Sequence, residues 1–415
     1  MAETAEVSSG PRPFRGAPIW LPVFGVALGQ RFVLPGASIA DVALGIFTAI
    51  GLVHLARKAR GTGPPCLPPW TKWLLALWAW AVVGGAVHVL YRTEPFSALE
   101  FSKSLAKLSF YALSVVVLAV VLRDSPKAPV DRFFLSAFAA AGALAIAIYA
   151  LMLFNVPLPY YALWGHGPES AYYSDRLWPG GTGEFVRAQG LASEPSRLAY
   201  LQAMALAFPL LEPRADPRIG LRLAVILLSL LLTFSLTAYA LLIPILGLGL
   251  FARWRAGRLG VGRRALALAA LMLLLLLPLG PALQRTVVAR AVRSVSGVDS
   301  STKARIVGSW KMTYALLETN PLLGVGLGNF DVVAWEMRAS HGHYVQKATQ
   351  GWNTFAYVLA TTGLPGLLLL LALLASAFRG RGRLAVPFVL GMFADGTFLG
   401  AAYWVFFAVY TTGDR

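Results

Sequence analysis

The chain has 415 residues, with 36 Lys and Arg against 19 Asp and Glu, and a net charge of +17. Its residues are 57% hydrophobic and only 13% charged, with a mean hydropathy of +0.64. Soluble domains carry about 25% charged residues, so this composition excludes an ordinary soluble domain. The single cysteine, Cys66, excludes an intramolecular disulfide and a cysteine-rich metal site.

Taken in chain order, the apolar runs predict membrane-spanning helices. A helix needs roughly 20 apolar residues to cross a bilayer, and these runs are continuous rather than alternating in polarity, which excludes the strands of a membrane barrel. We expect an all-α polytopic membrane protein that forms a single membrane domain over residues 1–415. Eleven spans are predicted: 17–35, 37–56, 70–91, 104–122, 133–155, 196–212, 222–235, 236–252, 265–281, 353–378 and 384–410. A break at Asp395-Gly396 would divide the last span into two and give twelve.

Basic clusters predict the orientation of these spans. Lys and Arg concentrate in five connections, which the positive-inside rule places on the cytoplasmic side. This accounts for much of the net charge without a nucleic-acid partner. Two long connections, 156–195 and 282–352, then fall on the outer side, and the second has a partly helical pattern.

The second outer connection is nevertheless rich in cations, which the positive-inside rule does not explain. Arginine presents a planar fork of donors that matches phosphate oxygens, so these residues predict a phosphate or pyrophosphate site. Contact with anionic lipid headgroups is the alternative. The outer-side cations include Arg187, Arg197, Arg285, Arg290, Arg293, Lys303, Arg305, Lys311, Arg338 and Lys347.

Each of the two outer connections contains a motif. The first, RAQGLASEPS, begins at Arg187, includes Gly190 and leads directly into a span. The second begins at Arg305 and continues through a Pro-x-x-Gly-x-Gly-x-Gly turn. The turn residues are Pro321, Gly324, Gly326 and Gly328.

The third motif opens the span at 353–378. Asn353 is followed by nine residues and then by Gly363-Leu364-Pro365-Gly366. In this order, the three motifs resemble the O-antigen ligase and O-antigen polymerase superfamily of bacterial membrane glycosyltransferases. Trp352 stands where the ligases usually have a histidine thought to be the catalytic base. Asn353 is also expected to cap the helix that follows it, and Pro365 to bend it.

The resemblance implies a GT-C-like enzyme of the bacterial inner membrane whose active site faces the periplasm. Such an enzyme transfers a glycan from undecaprenyl pyrophosphate to an acceptor hydroxyl, without metal or cofactor. The acceptor is lipid A–core for a ligase and a growing glycan for a polymerase. The expected partners are therefore the lipid-linked donor, the acceptor and membrane lipids.

Roles for individual residues follow from the resemblance and from the chemistry of the transfer. The leaving pyrophosphate needs cations, and the attacking hydroxyl needs a base. Candidates for pyrophosphate binding are Arg187 and Arg305, then Arg290, Arg293 and Arg197. Candidates for the base are His343, His341 and Glu194. Candidates for positioning are Asn353, Trp352, Gly190, Gly363 and Gly366.

Two other classes of function compete with this interpretation. A transporter of an organic anion should show paired broken helices in matching halves, and the sequence shows no two-fold repeat. A scaffold within an envelope complex would tolerate changes at Arg187 and Arg305 without loss of a reaction.

Overall fold

A computed structural model represents the protein. The structure describes residues 18–28, 32–34, 37–91, 95–125, 127–154, 156, 188, 190–192, 195–211, 219–255, 292, 308–337, 353–394 and 397–412. Within these residues the chain is almost entirely helical, with one short antiparallel strand pair, β1 (Phe32–Leu34) and β2 (Ala37–Ser38).

Thirteen α-helices run through the described part of the chain. They are α1 (Trp20–Leu28), α2 (Ile39–Thr62), α3 (Thr71–Tyr91), α4 (Ala98–Asp124), α5 (Lys127–Leu153), α6 (Pro195–Leu211), α7 (Ile219–Leu231), α8 (Leu236–Arg255), α9 (Ser309–Thr319), α10 (Phe330–Met337), α11 (Thr354–Ala377), α12 (Gly382–Ala394) and α13 (Ala401–Thr412). A single 3₁₀ turn, Thr397–Leu399, stands between α12 and α13.

Five of the described helices, α2, α3, α4, α5 and α11, are long and apolar enough to cross a membrane. Their apolar segments are Ile39–Gly61, Thr71–Tyr91, Ala98–Asp124, Val130–Leu153 and Thr354–Ala377. The predicted fold class, an all-α polytopic membrane protein, is confirmed. The total of eleven or twelve spans stays a prediction, because the span expected at 265–281 lies outside the described residues.

The predicted span 17–35 is wrong in its second half. Helix α1 ends at Leu28, and the chain then pairs as two strands, with Phe32 opposite Ser38. A nine-residue helix is only about 14 Å long, at 1.5 Å per residue. The hydropathy of this stretch therefore reflects a short buried helix and a strand rather than one continuous span.

The predicted span 384–410 is two antiparallel helices. The Tyr403 hydroxyl contacts Met392 Sδ at 3.8 Å, and the ring of Phe388 packs 5.9 Å from that of Phe407. Residues on α12 and α13 thus pair in opposite order. Every residue of α13 from 401 to 410 is buried, so this short helix forms part of the packing centre of the bundle.

Basic residues gather at one end of the bundle, here named the basic end. Lys58, near the end of α2, pairs with Asp124, at the end of α4, at 2.6 Å. Arg381, after α11, donates to the Tyr410 carbonyl near the end of α13 at 2.6 Å. The opposite end of α11 begins with the third motif, at Asn353.

Candidate active site

The second and third sequence motifs lock together. The glycine turn, residues 320–329, lies in a break of α11 at Gly363, where φ is 68° and ψ is −173°. In an uninterrupted helix the Leu364 N–H would donate to the Ala360 carbonyl. Here Leu364 N–H donates to Pro321 O at 3.0 Å, and Ala360 O accepts from Val325 N–H at 2.8 Å. The turn therefore satisfies both groups that the break releases.

Two glycines make this close approach possible. A Cβ at Gly363 would lie 2.0 Å from the Leu322 carbonyl oxygen, and a Cβ at Gly324 would lie 2.4 Å from the Ala360 carbonyl oxygen. Both glycines also have positive φ, at 68° and 67°, a backbone conformation that other residues rarely adopt. The spacing of glycines in the two motifs thus reflects a backbone-to-backbone contact.

The expected role of Pro365 changes accordingly. The non-helical residue of α11 is Gly363 rather than Pro365. Pro365 follows the break by two residues, near the start of the second helical segment, where its missing N–H removes no helical hydrogen bond. A Cβ at Gly366 would lie 1.9 Å from Thr362 Oγ1 of the same helix and 3.5 Å from the Trp80 ring of α3. The Trp80 indole N–H donates to Thr362 O at 2.8 Å and so ties α3 to the break.

The far side of the glycine turn is held by α3 and by the chain before α4. His88 Nε2 hydrogen-bonds Gly324 O at 2.9 Å, and the His88 ring stacks on Phe96 at 5.2 Å. Ser97 N–H donates to Asn329 Oδ1 at 2.6 Å. His88 therefore anchors the turn.

Asn353 caps α11 as the sequence predicted. Its side-chain oxygen accepts from Phe355 N–H at 3.0 Å and from Ala356 N–H at 3.2 Å, and the residue is buried. The Thr313 hydroxyl of α9 donates to the Ala356 carbonyl at 3.1 Å. The helix that follows the arginine segment of the second motif therefore packs against the first turn of α11.

The first motif lies elsewhere in the bundle, between α5 and α7. Gly190 has a φ of 55°, and its Cβ position would lie 3.0 Å from the Ala145 Cβ of α5. Ala188 N–H donates to Leu232 O at 2.9 Å. Gly190 thus permits a close approach to α5, as glycine at a positive φ can.

Arg197, in the first turn of α6, lies within electrostatic range of Tyr111 on α4. The Tyr111 hydroxyl donates to Asp41 Oδ1 at 2.6 Å. Asp41 in turn belongs to the capping box of α2, where Ser38 N–H donates to its Oδ2 at 2.7 Å. An arginine, a tyrosine and an aspartate from three helices therefore meet near the ends of α2 and α6.

Most predicted site residues fall outside the described part of the chain. They are Arg187, Glu194, Arg290, Arg293, Arg305, His341, His343 and Trp352. Of the predicted set, the structure describes Gly190, Arg197, Asn353, Gly363 and Gly366. It brings Asn353 and Gly363 onto one helix beside the glycine turn.

Sequence reasoning gave no role to Asp331, which directly follows the glycine turn in the first turn of α10. Desolvation first, and the neighbouring Glu100 carboxylate second, raise the pKa of Asp331 to about 6. Gly328 fixes this neighbourhood, since a Cβ there would lie 2.5 Å from the Glu100 carbonyl oxygen. An acid placed immediately after a glycine-rich turn was the available sequence signal.

The described residues contain no group of three or more His, Cys, Asp or Glu arranged to hold a metal ion. The features that they do show are an interlocked turn and broken helix, a capped helix start, and cations and carboxyl groups on the neighbouring helices. This arrangement fixes the backbone of the glycine turn, with the carboxyl groups of Glu100 and Asp331 beside it.

Comparison with models of protein families gives a match to part of the chain. A family model described as O-antigen ligase matches residues 221–371. This range contains the second and third motifs, including the glycine turn and the broken helix. The match supports the O-antigen ligase and polymerase superfamily, and the resemblance inferred from the motifs is confirmed. A comparison with curated protein sequences finds no match.

Proposed function

We propose that the chain transfers a glycan from undecaprenyl pyrophosphate to an acceptor hydroxyl at the periplasmic face of the bacterial inner membrane. In this proposal it acts as an O-antigen ligase in lipopolysaccharide biosynthesis, with lipid A–core as the acceptor. The observation that carries the proposal is the family match over residues 221–371, because the two motifs inside it interlock in the structure. The match by itself supports the coarser statement of a ligase or polymerase type of function.

The bonds formed and broken in this transfer balance without a cofactor. The acceptor oxygen attacks the anomeric carbon, the bond from that carbon to the pyrophosphate oxygen breaks, and undecaprenyl pyrophosphate leaves. Preorganised cations stabilise the negative charge that develops on the leaving group. We assign this role first to Arg187 and Arg305. Arg290, Arg293 and Arg197 are proposed to support them.

The place of Arg305 in the chain supports its assignment. Arg305 lies four residues before α9 begins at Ser309. Thr313 of α9 donates to the Ala356 carbonyl in the first turn of α11, and α11 begins at Thr354, directly after the Trp352-Asn353 pair. The second motif thus leads into a helix that contacts the start of the third.

The acceptor hydroxyl must also lose a proton to a base. His343, His341 and Glu194 remain the proposed bases, since Trp352 replaces the usual histidine. Asp331 joins them, because a carboxyl group with a pKa of about 6 is suited to accept a proton near neutral pH.

A polymerase is the second candidate, and the observation that favours it is Trp352 at the position where ligases usually have histidine. Mass spectrometry of the products separates the two. The purified full chain is incubated with an undecaprenyl-pyrophosphate-linked glycan and lipid A–core, without nucleotide. One added glycan on lipid A–core supports the ligase, and a ladder of repeats on undecaprenyl pyrophosphate supports the polymerase.

Variants test whether the product depends on the proposed site. Arg305→Lys keeps the charge but loses the bidentate fork, so we expect a large fall in product. Arg255→Lys, at the C-terminal end of α8, is the matched control and should transfer at the normal rate. No product from the wild-type chain with several donors would refute the proposal.

A further inference from the structure

Helix α4 carries a row of polar residues that runs from the glycine turn towards Arg197. Glu100, Ser104, Lys107 and Tyr111 follow one another at spacings of four, three and four residues, so they share one face of the helix. From Ser104 to Tyr111 the helix rises by about 10 Å. The row is therefore long enough to lie between two separate contacts.

Contacts with other elements define both ends of this row. At the outer end, a Cβ on Gly328 of the glycine turn would lie 2.2 Å from Ser104 Oγ. At the inner end, Tyr111 donates to Asp41 and lies within electrostatic range of Arg197. Lys107 stands between them, about one turn from each, on the same face of the helix.

Lys107 differs from the other lysine of this segment. Lys103 is exposed and pairs with Glu100 at 2.7 Å. The Lys107 side chain is half-buried, yet among the described residues it makes no hydrogen bond or ion pair. A cation drawn partly out of water without a partner costs free energy, and an anionic ligand on this face would offset that cost.

We infer that Lys107 binds a phosphate group of the lipid-linked donor between the glycine turn and Arg197, as a further pyrophosphate-binding residue. The inference rests on the proposed function for the identity of the donor. The ammonium group would act as a compact charge with three donors, complementing the planar forks of the arginines. The phosphate of an anionic lipid headgroup presents the same chemistry, so the experiment must separate these two sources.

The test is the binding of undecaprenyl pyrophosphate to the purified full chain in nanodiscs of a neutral phospholipid. We expect Lys107→Ala to weaken binding about ten-fold, the loss of one charge-assisted hydrogen bond, and Lys107→Arg to restore most of it. Lys103→Ala is the matched control, one turn away on the same helix, and should bind as the wild type does. Thermal unfolding of each variant checks that it is folded.

Each outcome bears on one claim. If the wild-type chain does not bind undecaprenyl pyrophosphate, the proposed function fails. If it binds and Lys107→Ala binds equally well, the assignment of Lys107 fails while the proposed function stands. The experiment is repeated in nanodiscs that contain phosphatidylglycerol. If Lys107→Ala changes only the response to this lipid, Lys107 contacts a headgroup and the inference is overturned.

Discussion

The contact between Gly363 and the glycine turn gives the most direct test of the structure. In a Gly363→Ala variant, the new Cβ would lie 2.0 Å from Leu322 O and 2.3 Å from Leu322 C. Both are backbone atoms, so neither can rotate away as a flexible side chain can. The φ of 68° and ψ of −173° also lie in a region that is essentially restricted to glycine, where strain costs about 1–3 kcal/mol.

Moving the turn away from Gly363 would also break hydrogen bonds. Val325 to Ala360, Leu364 to Pro321 and His88 to Gly324 join the turn to α11 and α3, and each contributes about 1 kcal/mol. With the strain, we expect Gly363→Ala to destabilise the chain by about 4–6 kcal/mol.

Gly380→Ala is the matched control for this change. Gly380 also has a positive φ, of 81°, but its Cβ position has no atom within 4 Å. That variant should lose only about 1–2 kcal/mol of stability, from the strain of alanine in the left-handed conformation. The two variants differ in steric contact, since both place alanine at a positive φ.

The assay is thermal unfolding of the full chain in detergent, followed by tryptophan fluorescence. The Tm of Gly363→Ala should fall at least 5 °C further than that of Gly380→Ala, a rough conversion of the free-energy difference. Equal Tm values for the two variants would show that the turn does not lie against Gly363, and the interlocked site would then be wrong.

Other predictions follow from the polar contacts. Asn353→Ala should lose about 1 kcal/mol of stability with the cap and should transfer glycan more slowly; a normal rate would leave Asn353 only the capping role. For Asp331, whose pKa rises from 3.8 to about 6 beside Glu100, stability should fall as pH increases from 4 to 6, since the folded chain holds the proton more tightly. Asp331→Asn should therefore have a higher Tm than the wild type at pH 7.5 and an equal Tm at pH 4; the same difference at both pH values would contradict this. Tyr111→Phe removes the hydroxyl that donates to Asp41 Oδ1, so it should lower stability by about 1–3 kcal/mol, and an unchanged Tm would argue against that hydrogen bond.

Local signals in the sequence predicted the start of α11. An asparagine before an apolar run predicts a cap, and the structure shows that cap at Asn353. The Gly-Leu-Pro-Gly stretch predicted an interruption, but the sequence favoured Pro365 as its cause. Proline bends helices in general, whereas the position of this break is set at Gly363 by the turn that fills it.

The partner of Gly363 could not be predicted in this way. A glycine with positive φ can be suspected from a turn motif, but the atoms that approach it belong to a segment distant in the chain. Gly324 and Gly363 lie in different motifs, and only the folded chain brings their backbones together. Hydropathy likewise started the fourth span at residue 104, whereas α4 begins at Ala98. Of the polar row on α4, only Glu100 fell outside the predicted span.

The cap on α11 also bears on how the site can hold an anion. A helix N-terminus binds anions through its free N–H groups and its partial positive charge. At α11 the Asn353 side-chain oxygen accepts from the Phe355 and Ala356 N–H groups, and the Asn353 backbone carbonyl accepts from the Tyr357 N–H. Three N–H groups of this end are thus already used within the helix. If α11 acts on the pyrophosphate, it does so chiefly through its dipole, and the direct hydrogen bonds must come from side chains. This favours arginines and Lys107 as the groups whose loss weakens donor binding most.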